Sequence, residues 1–498
     1  MGNIQSRFSG FRRTRSAGRG TSSKARKNKR SVSIYTNGAN KFISEKIPNE
    51  NTVSDACLTV EIIEKFSDEF NAEPKNRLAL NAVTAEDMTK VLLSREVTIN
   101  DTHVFSERIE LEAKVTNQKS SGRCWLFAAT NVMRLILMKK YNIDDLELSQ
   151  PYLFFYDKLE KANFFLESMI GLAGEKSTDS RLLQYLLRDP VNDGGQWDMI
   201  INLLGKYGVV PKTAFPESFN SSNSYRVDTI LTSKLREFAH QIRQLHARGH
   251  SSSSLRHEKI KMMEDVYRIL AICLGEPPKR FDWSFRDREG KYHQFPNLTP
   301  KKFYEDVIGY NADGTFSLVN DPRNPYLRLY TVEYLGNVCD GYPIRYVNIP
   351  IDKMKKLAIQ VLRSGKPVWF GADVGKFSHN TLGILDNKVY DFELAFNIKF
   401  GLNKEQRLRY CESLMTHAMV FTGVHLEHDK PIRWRVENSW GEDRGQKGYF
   451  VMSDDWFSEW VYQIVMEKND APKELVAVLD QDPITLPAWD PMGSLAKM

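Results

Sequence analysis

Cys124 stands where protein chemistry would put a nucleophile. It lies where the turn Ser121-Gly122 meets CWLFAATNVMRLILMKKY, a run apolar nearly all round that reads as a buried central helix. Ser120 or Ser121 falls near the start of that helix, and Lys139 and Lys140 at its end. A thiol attacks carbonyl carbon as thiolate, and a helix N-terminus or a nearby imidazolium lowers its pKa. A lone cysteine is more often an inert small hydrophobe, so the reading depends on a base elsewhere. The string THAMVFTGV places His417 at the start of a β-run, and RVENSWGEDRGQKGYF places Asn438 on the next. The 21 residues between them suit neighbouring antiparallel strands. His425 and His428 are alternative bases.

Gln118-x5-Cys124-Trp125 resembles the nucleophile segment of the papain family, and Asn438-Ser439-Trp440-Gly441 followed by Gly448-Tyr449-Phe450 resembles its orienting segment. Neither His425 nor His428 has the Asn-Ser-Trp string at the family's distance, which favours His417. By this resemblance, Gln118 and the N–H of Cys124 form an oxyanion hole, two donors converging on the oxygen that becomes negative. Asn438 orients the imidazole and Trp440 shields their bond. Asp193-Gly194-Gly195-Gln196-Trp197 resembles the glycine pair lining the family's substrate groove, where a missing side chain lets a peptide approach. Arg123 departs from the common signature, which has Ser or Ala before the nucleophile. It suggests a different surface charge at the cleft. The mechanism calls for no metal and no cofactor.

The elements that must hold these residues are spread over 498 residues, 41% of them hydrophobic, enough for a large core. The first 44 residues carry eleven Lys or Arg and no acid. Subtracting those eleven from the net charge of +6 leaves −5 for the rest, so the basicity belongs to a disordered tail. No apolar run is long enough to span a bilayer. Five cysteines, an odd number, and an N-terminus without an apolar secretory stretch fit a reducing compartment. Helical periodicity marks residues 55–95, then LSQPYLFFYDKLEKANFFLESMI and SRLLQYLLRDP. Two amphipathic runs follow, through Leu235, Phe238, Ile242 and Leu245, and through Met263, Val266 and Leu270. The stretch 234–302 holds fifteen Lys or Arg against eight acids. After about 340 come short β-rich runs: PVWFGADV, MVFTGVHLEH, IRWRVENSW, GYFVMS and VYQIVM.

His417 follows Cys124 by 293 residues, against ~130–150 in common papain-like enzymes. That excess, the string NQKSSGRCWLFAATNVMR, the missing signal peptide and the end AWDPMGSLAKM together resemble the bleomycin hydrolase family of papain-like cysteine aminopeptidases. The resemblance covers 55–498 and implies an α+β papain-like fold, with a helical left domain, a β-rich right domain and a large helical insertion. The expected divisions are a basic tail at 1–44, an N-terminal extension and helical domain with the nucleophile at 45–214, an inserted oligomerisation subdomain at 215–340, a β-rich domain with His417 and Asn438 at 341–477, and a C-terminal arm in the cleft at 478–498. The arm carries Pro483, Pro487 and Pro491, shows no helical period and should run extended. Its end, after self-trimming behind Ala496 or Lys497, would meet the substrate's α-ammonium and make the enzyme an aminopeptidase.

The resemblance also implies a homohexamer acting on peptides. Two other classes compete with this reading: a papain-like endopeptidase with residues 45–110 as prosegment, and a peptidase that also binds nucleic acid through its basic regions. A cytoplasmic location is expected. The start Met1-Gly2-Asn3-Ile4-Gln5-Ser6 fits an N-myristoylation pattern, and the Arg- and Ser-rich tail a mitochondrial presequence.

Overall fold

The computed structural model describes residues 56–175 and 177–497, with the backbone alone at Ala496 and Lys497. The tail at 1–44, on which the anchoring and import expectations fall, and Met498 lie outside the described residues. The chain divides at Pro74 into two compact units. In the first, Val60–Ala72 is a helix capped by Thr59, whose side chain accepts from the Ile62 N–H. Its Val60, Ile63 and Phe66 are exposed.

In the second unit the nucleophile helix, Cys124–Tyr141, is buried on nearly every side, as its all-round apolar sequence requires. It ends at Asn142, which takes the left-handed conformation. At its start Arg123 occupies the cap position and no side chain caps the helix. The hydroxyl of Ser121 instead donates to the carbonyl of Gln118, 2.7 Å away. The next helix, Gln150–Gly171, begins at Ser149, which accepts from the Tyr152 N–H, with Pro151 in its first turn. Arg181–Arg188 and Trp197–Tyr207 follow.

Two long helices, Tyr225–Ala247 and Ser252–Leu274, pack on Gln150–Gly171 and on each other. The first buries Leu231, Leu235, Phe238 and Ile242, one stripe at helical spacing. The second buries Leu255, Met262, Val266 and Leu270, so Met262 rather than Met263 faces inward. The hairpin of Phe281–Arg286 and Tyr292–Leu298 follows.

The remaining strands form one mixed sheet. Val368–Ala372 lies between Val461–Glu467 and His417–Glu427; the latter pairs with Lys430–Glu437, which pairs with Tyr449–Ser453. Thr315–Val319, Leu329–Val332 and Tyr346–Asn348 join the same sheet from before and after residue 340. With helices gathered against one large sheet, the fold is α+β.

The chain end does not run extended. A 3₁₀ turn at Ala477–Asp480 and another at Pro491–Lys497 flank a short strand at Ile484–Leu486. Asp490 explains the last turn: its carboxylate accepts from the Met492 N–H at 2.9 Å and pairs with Arg323 at 2.8 Å. Among the described residues no helix is long and apolar enough to cross a membrane.

Candidate active site

Antiparallel register brings the histidine and asparagine segments together. Val420 faces Glu437, so the strand start at His417 lies beside the turn that follows Glu437. The Nε2 of His417 is 2.8 Å from Oδ1 of Asn438. That same oxygen accepts the Ser439 N–H, also at 2.8 Å. An atom bonded to a backbone donor is an acceptor, so Nε2 of His417 must donate to it. The neutral ring then keeps Nδ1 free as the base. Trp440 covers the imidazole, with ring centres 4.8 Å apart. His425 lies eight residues further along the strand, roughly 26 Å away at strand rise, beside Glu427; His428 sits in the turn beyond.

Cys124 meets this pair at the helix start. The N–H of Ala418, the residue after His417, points at its Sγ from 3.4 Å. Both side chains are buried. Burial pushes the thiol up to about 11, while backbone N–H groups of Ala418 and Trp125 draw it back. Burial pushes the imidazole down to about 4, against the bond it donates to Asn438. Across the neutral range the sulfur therefore keeps its proton and the imidazole is neutral, ready to accept it. The pair's kcat/KM should be level through neutrality, with an acid limb near pH 4; a limb above pH 6 in the pH profile would contradict this. Stability follows the same sign. The unfolded imidazole titrates near ~6.5 and the folded one lower. The contribution is therefore complete above about pH 6.5 and is lost as pH falls toward 4. The difference in unfolding free energy between wild type and His417→Gln should shrink over that window.

Gln118 lies against the same turn, almost fully buried. Its N–H donates to the Ser439 carbonyl at 2.8 Å, and its Oε1 accepts the Ser439 hydroxyl at 2.7 Å. One of its two amide protons goes to the Ser121 carbonyl at 2.6 Å, leaving the other for a substrate oxygen. Ser439 thus fixes the glutamine's flip. Sequence reasoning passed over it, although it stands inside the Asn-Ser-Trp string.

Gly194 and Gly195 lie beside the nucleophile helix. A Cβ on Gly195 would stand 2.4 Å from the Trp125 indole, so here the glycine makes room for the residue next to Cys124. Gly195→Ala should cost ~1–3 kcal/mol and lower turnover by displacing that indole; chemical denaturation and peptide hydrolysis check both. The Gly194 carbonyl accepts from Lys161 Nζ at 2.5 Å. Arg123 does not add charge to the cleft surface. It is fully buried, pairs with Glu217 at 3.0 Å and donates to the Ser121 hydroxyl at 2.8 Å. A guanidinium placed inside a fold turns toward an anion rather than stay unpaired.

Ala496 falls within the turn Pro491–Lys497. The Met492 carbonyl of that turn accepts from Gln196, next to Gly195, at 3.4 Å, and the Ser494 hydroxyl donates to the Met415 carbonyl, two residues before His417, at 2.8 Å. Leu495 is fully buried. The chain end thus touches both the glycine segment and the segment leading to His417.

A family model described as Peptidase C1-like matches residues 57–493. A bleomycin hydrolase of Gallus gallus is 48% identical over 450 residues, spanning 88% of this chain and 99% of its own. An aminopeptidase C of Streptococcus thermophilus is 43% identical over 442 residues, again 88% and 99%. The crystal structure of pepw from Lactobacillus rhamnosis HN001 superposes with a TM-score of 0.86 at 44% identity, covering 88% of this chain and 99% of that one.

Proposed function

We propose, from the premise that this chain belongs to the Peptidase C1-like family and is a cysteine peptidase, that it removes residues one at a time from the amino end of peptides, as an aminopeptidase of bleomycin hydrolase type. Cys124 attacks the scissile carbonyl, His417 takes its proton and returns it to the leaving amine, and Asn438 keeps the imidazole in the tautomer that presents Nδ1. Gln118 and the Cys124 N–H receive the oxyanion.

The observation that carries the exopeptidase reading is the C-terminal turn, bonded at Met492 to Gln196 and at Ser494 to Met415. A chain end held there closes one side of the groove, and its carboxylate would pair with a substrate's α-ammonium. Such a charge-assisted contact is worth ~1.5–3 kcal/mol. Self-trimming after Ala496 or Lys497 would set its final length. Deleting 491–498 should abolish the preference for free amino termini and admit blocked peptides to internal cleavage, measured on paired free and acetylated substrates. An unchanged preference would return the choice to an endopeptidase, whose prosegment at 45–110 would show as a mass loss on activation.

A homohexamer fits the apolar side chains that the two inserted helices leave exposed, Tyr225, Ile230, Ile260 and Ile272 among them; sedimentation as a monomer at micromolar concentration would refute it. The lysines and arginines of 234–302 are the basis for nucleic-acid binding, which no retention on DNA at low salt would end. Cytoplasmic residence, mitochondrial import and myristoyl anchoring are separated by fluorescent fusions of the full chain and of a chain lacking 1–44.

A further inference from the structure

Asp193, directly before the two glycines, is almost fully buried and joins three elements. Its Oδ2 accepts the Gly122 N–H, two residues before the nucleophile, at 2.7 Å. Ser224, at the head of the first inserted helix, donates to the same oxygen. Its Oδ1 is ion-paired with Lys158 at 2.7 Å, and Lys158 pairs in turn with Asp228 of that inserted helix at 2.5 Å. Its backbone carbonyl accepts the Trp125 indole N–H at 2.7 Å. Burial would raise the Asp193 carboxyl, but the Lys158 ammonium outweighs it and holds the group ionised.

Two lysines one turn apart on Gln150–Gly171 keep this segment in place. Lys158 reaches the Val191 carbonyl at 3.3 Å, and Lys161 reaches those of Asn192 and Gly194 at 3.1 and 2.5 Å. The inserted segment touches the nucleophile loop twice more. The Ser120 N–H donates to the Ser222 carbonyl at 3.0 Å, and Arg123 pairs with Glu217. Residues 217–228 thus border the loop that carries Gln118 and leads to the Cys124 N–H.

We propose that Asp193 is a positioning residue for the oxyanion hole, and that Ser224 and Asp228 tie the inserted segment to catalysis through it, a role that rests on the Gln118 and Cys124 assignment above. Asp193 touches no reacting atom. It holds the peptide at Gly122, and so the direction of the N–H groups that follow. Reactions that build an oxyanion depend on this; displacement at an alkyl halide does not.

The test uses the full-length protein, with peptide hydrolysis and iodoacetamide alkylation of Cys124 measured side by side. Asp193→Ala should lower kcat about 10²-fold with KM within about threefold of wild type and with no fall in alkylation rate, since the Asp193 charge that raises the thiol is removed. Asp193→Asn, which keeps an oxygen for Gly122, should recover most of that loss. In the background of Gln118→Ala, adding Asp193→Ala should cost little more, because both act on one hole. Should Asp193→Ala fail to fold, Ser224→Ala serves: a severalfold kcat loss, absent in the Gln118→Ala background, supports the role. Additive losses, or alkylation falling in step with hydrolysis, overturn it. Full activity in Gln118→Ala alone would instead remove the oxyanion assignment, a separate failure.

Discussion

Replacing Cys124 by alanine is expected to lower peptide turnover on the order of 10⁶-fold, the scale seen when the nucleophile of a cooperating triad is removed. In the proposed mechanism the thiol is the group that forms the acyl-enzyme. Of the other cysteines, Cys57 and Cys411 are exposed and Cys273 and Cys339 half-buried. The fold should survive, because alanine leaves only a small gap at a helix start whose neighbours are held by their own bonds. Gln118→Ala, which removes a donor but leaves the nucleophile, should cost only ~10²–10³. Steady-state hydrolysis with active-site titration checks both. Residual activity within tenfold of wild type in Cys124→Ala would end the mechanism.

The largest effect on stability is expected from Glu437→Ala. Its carboxylate is buried and accepts from Arg134 at 2.7 Å and from Asn131 at 2.9 Å, both on the nucleophile helix. Arg134 is 1% exposed, so removing its anion strands a buried cation. Breaking such a pair costs ~3–5 kcal/mol, a large share of the ~5–15 kcal/mol that holds a typical protein folded. Glu437 immediately precedes Asn438, so the pair also fixes the helix of Cys124 against the strand that aims the histidine. Replacing both partners, Arg134→Met with Glu437→Leu, should recover most of the loss, because no charge is left unpaired. Equilibrium unfolding of the single and double variants measures this. A single variant costing under 1 kcal/mol would show that water or another group reaches Arg134.

Much of this site can be read from local strings, because the chemistry is carried by residues whose neighbours along the chain shape them. A cysteine at the head of an all-apolar helix, a histidine opening a β-run and an asparagine 21 residues later already specify a helix end facing two antiparallel strands. The stripes of the two inserted helices were legible for the same reason: burial imposes a 3.6-residue period on the sequence itself. The residues that tie these parts together were not legible. Ser439 meets Gln118 across 321 residues, Asp193 meets Gly122 across 71, and Arg123 meets Glu217 across 94. No spacing rule spans such distances, because the partner of a buried polar group is chosen by how the chain closes. Arg123 read as a surface charge for that reason; a guanidinium looks the same in sequence whether it faces water or an anion inside. The C-terminal segment read as extended because its prolines break every period, and only its closure on Arg323 through Asp490 bends it into a turn. The sequence by itself marked the candidate residues for the chemistry and the elements they sit on; the tertiary structure alone decided what holds them at bonding distance, since that depends on burial and charge pairing between segments far apart in the chain.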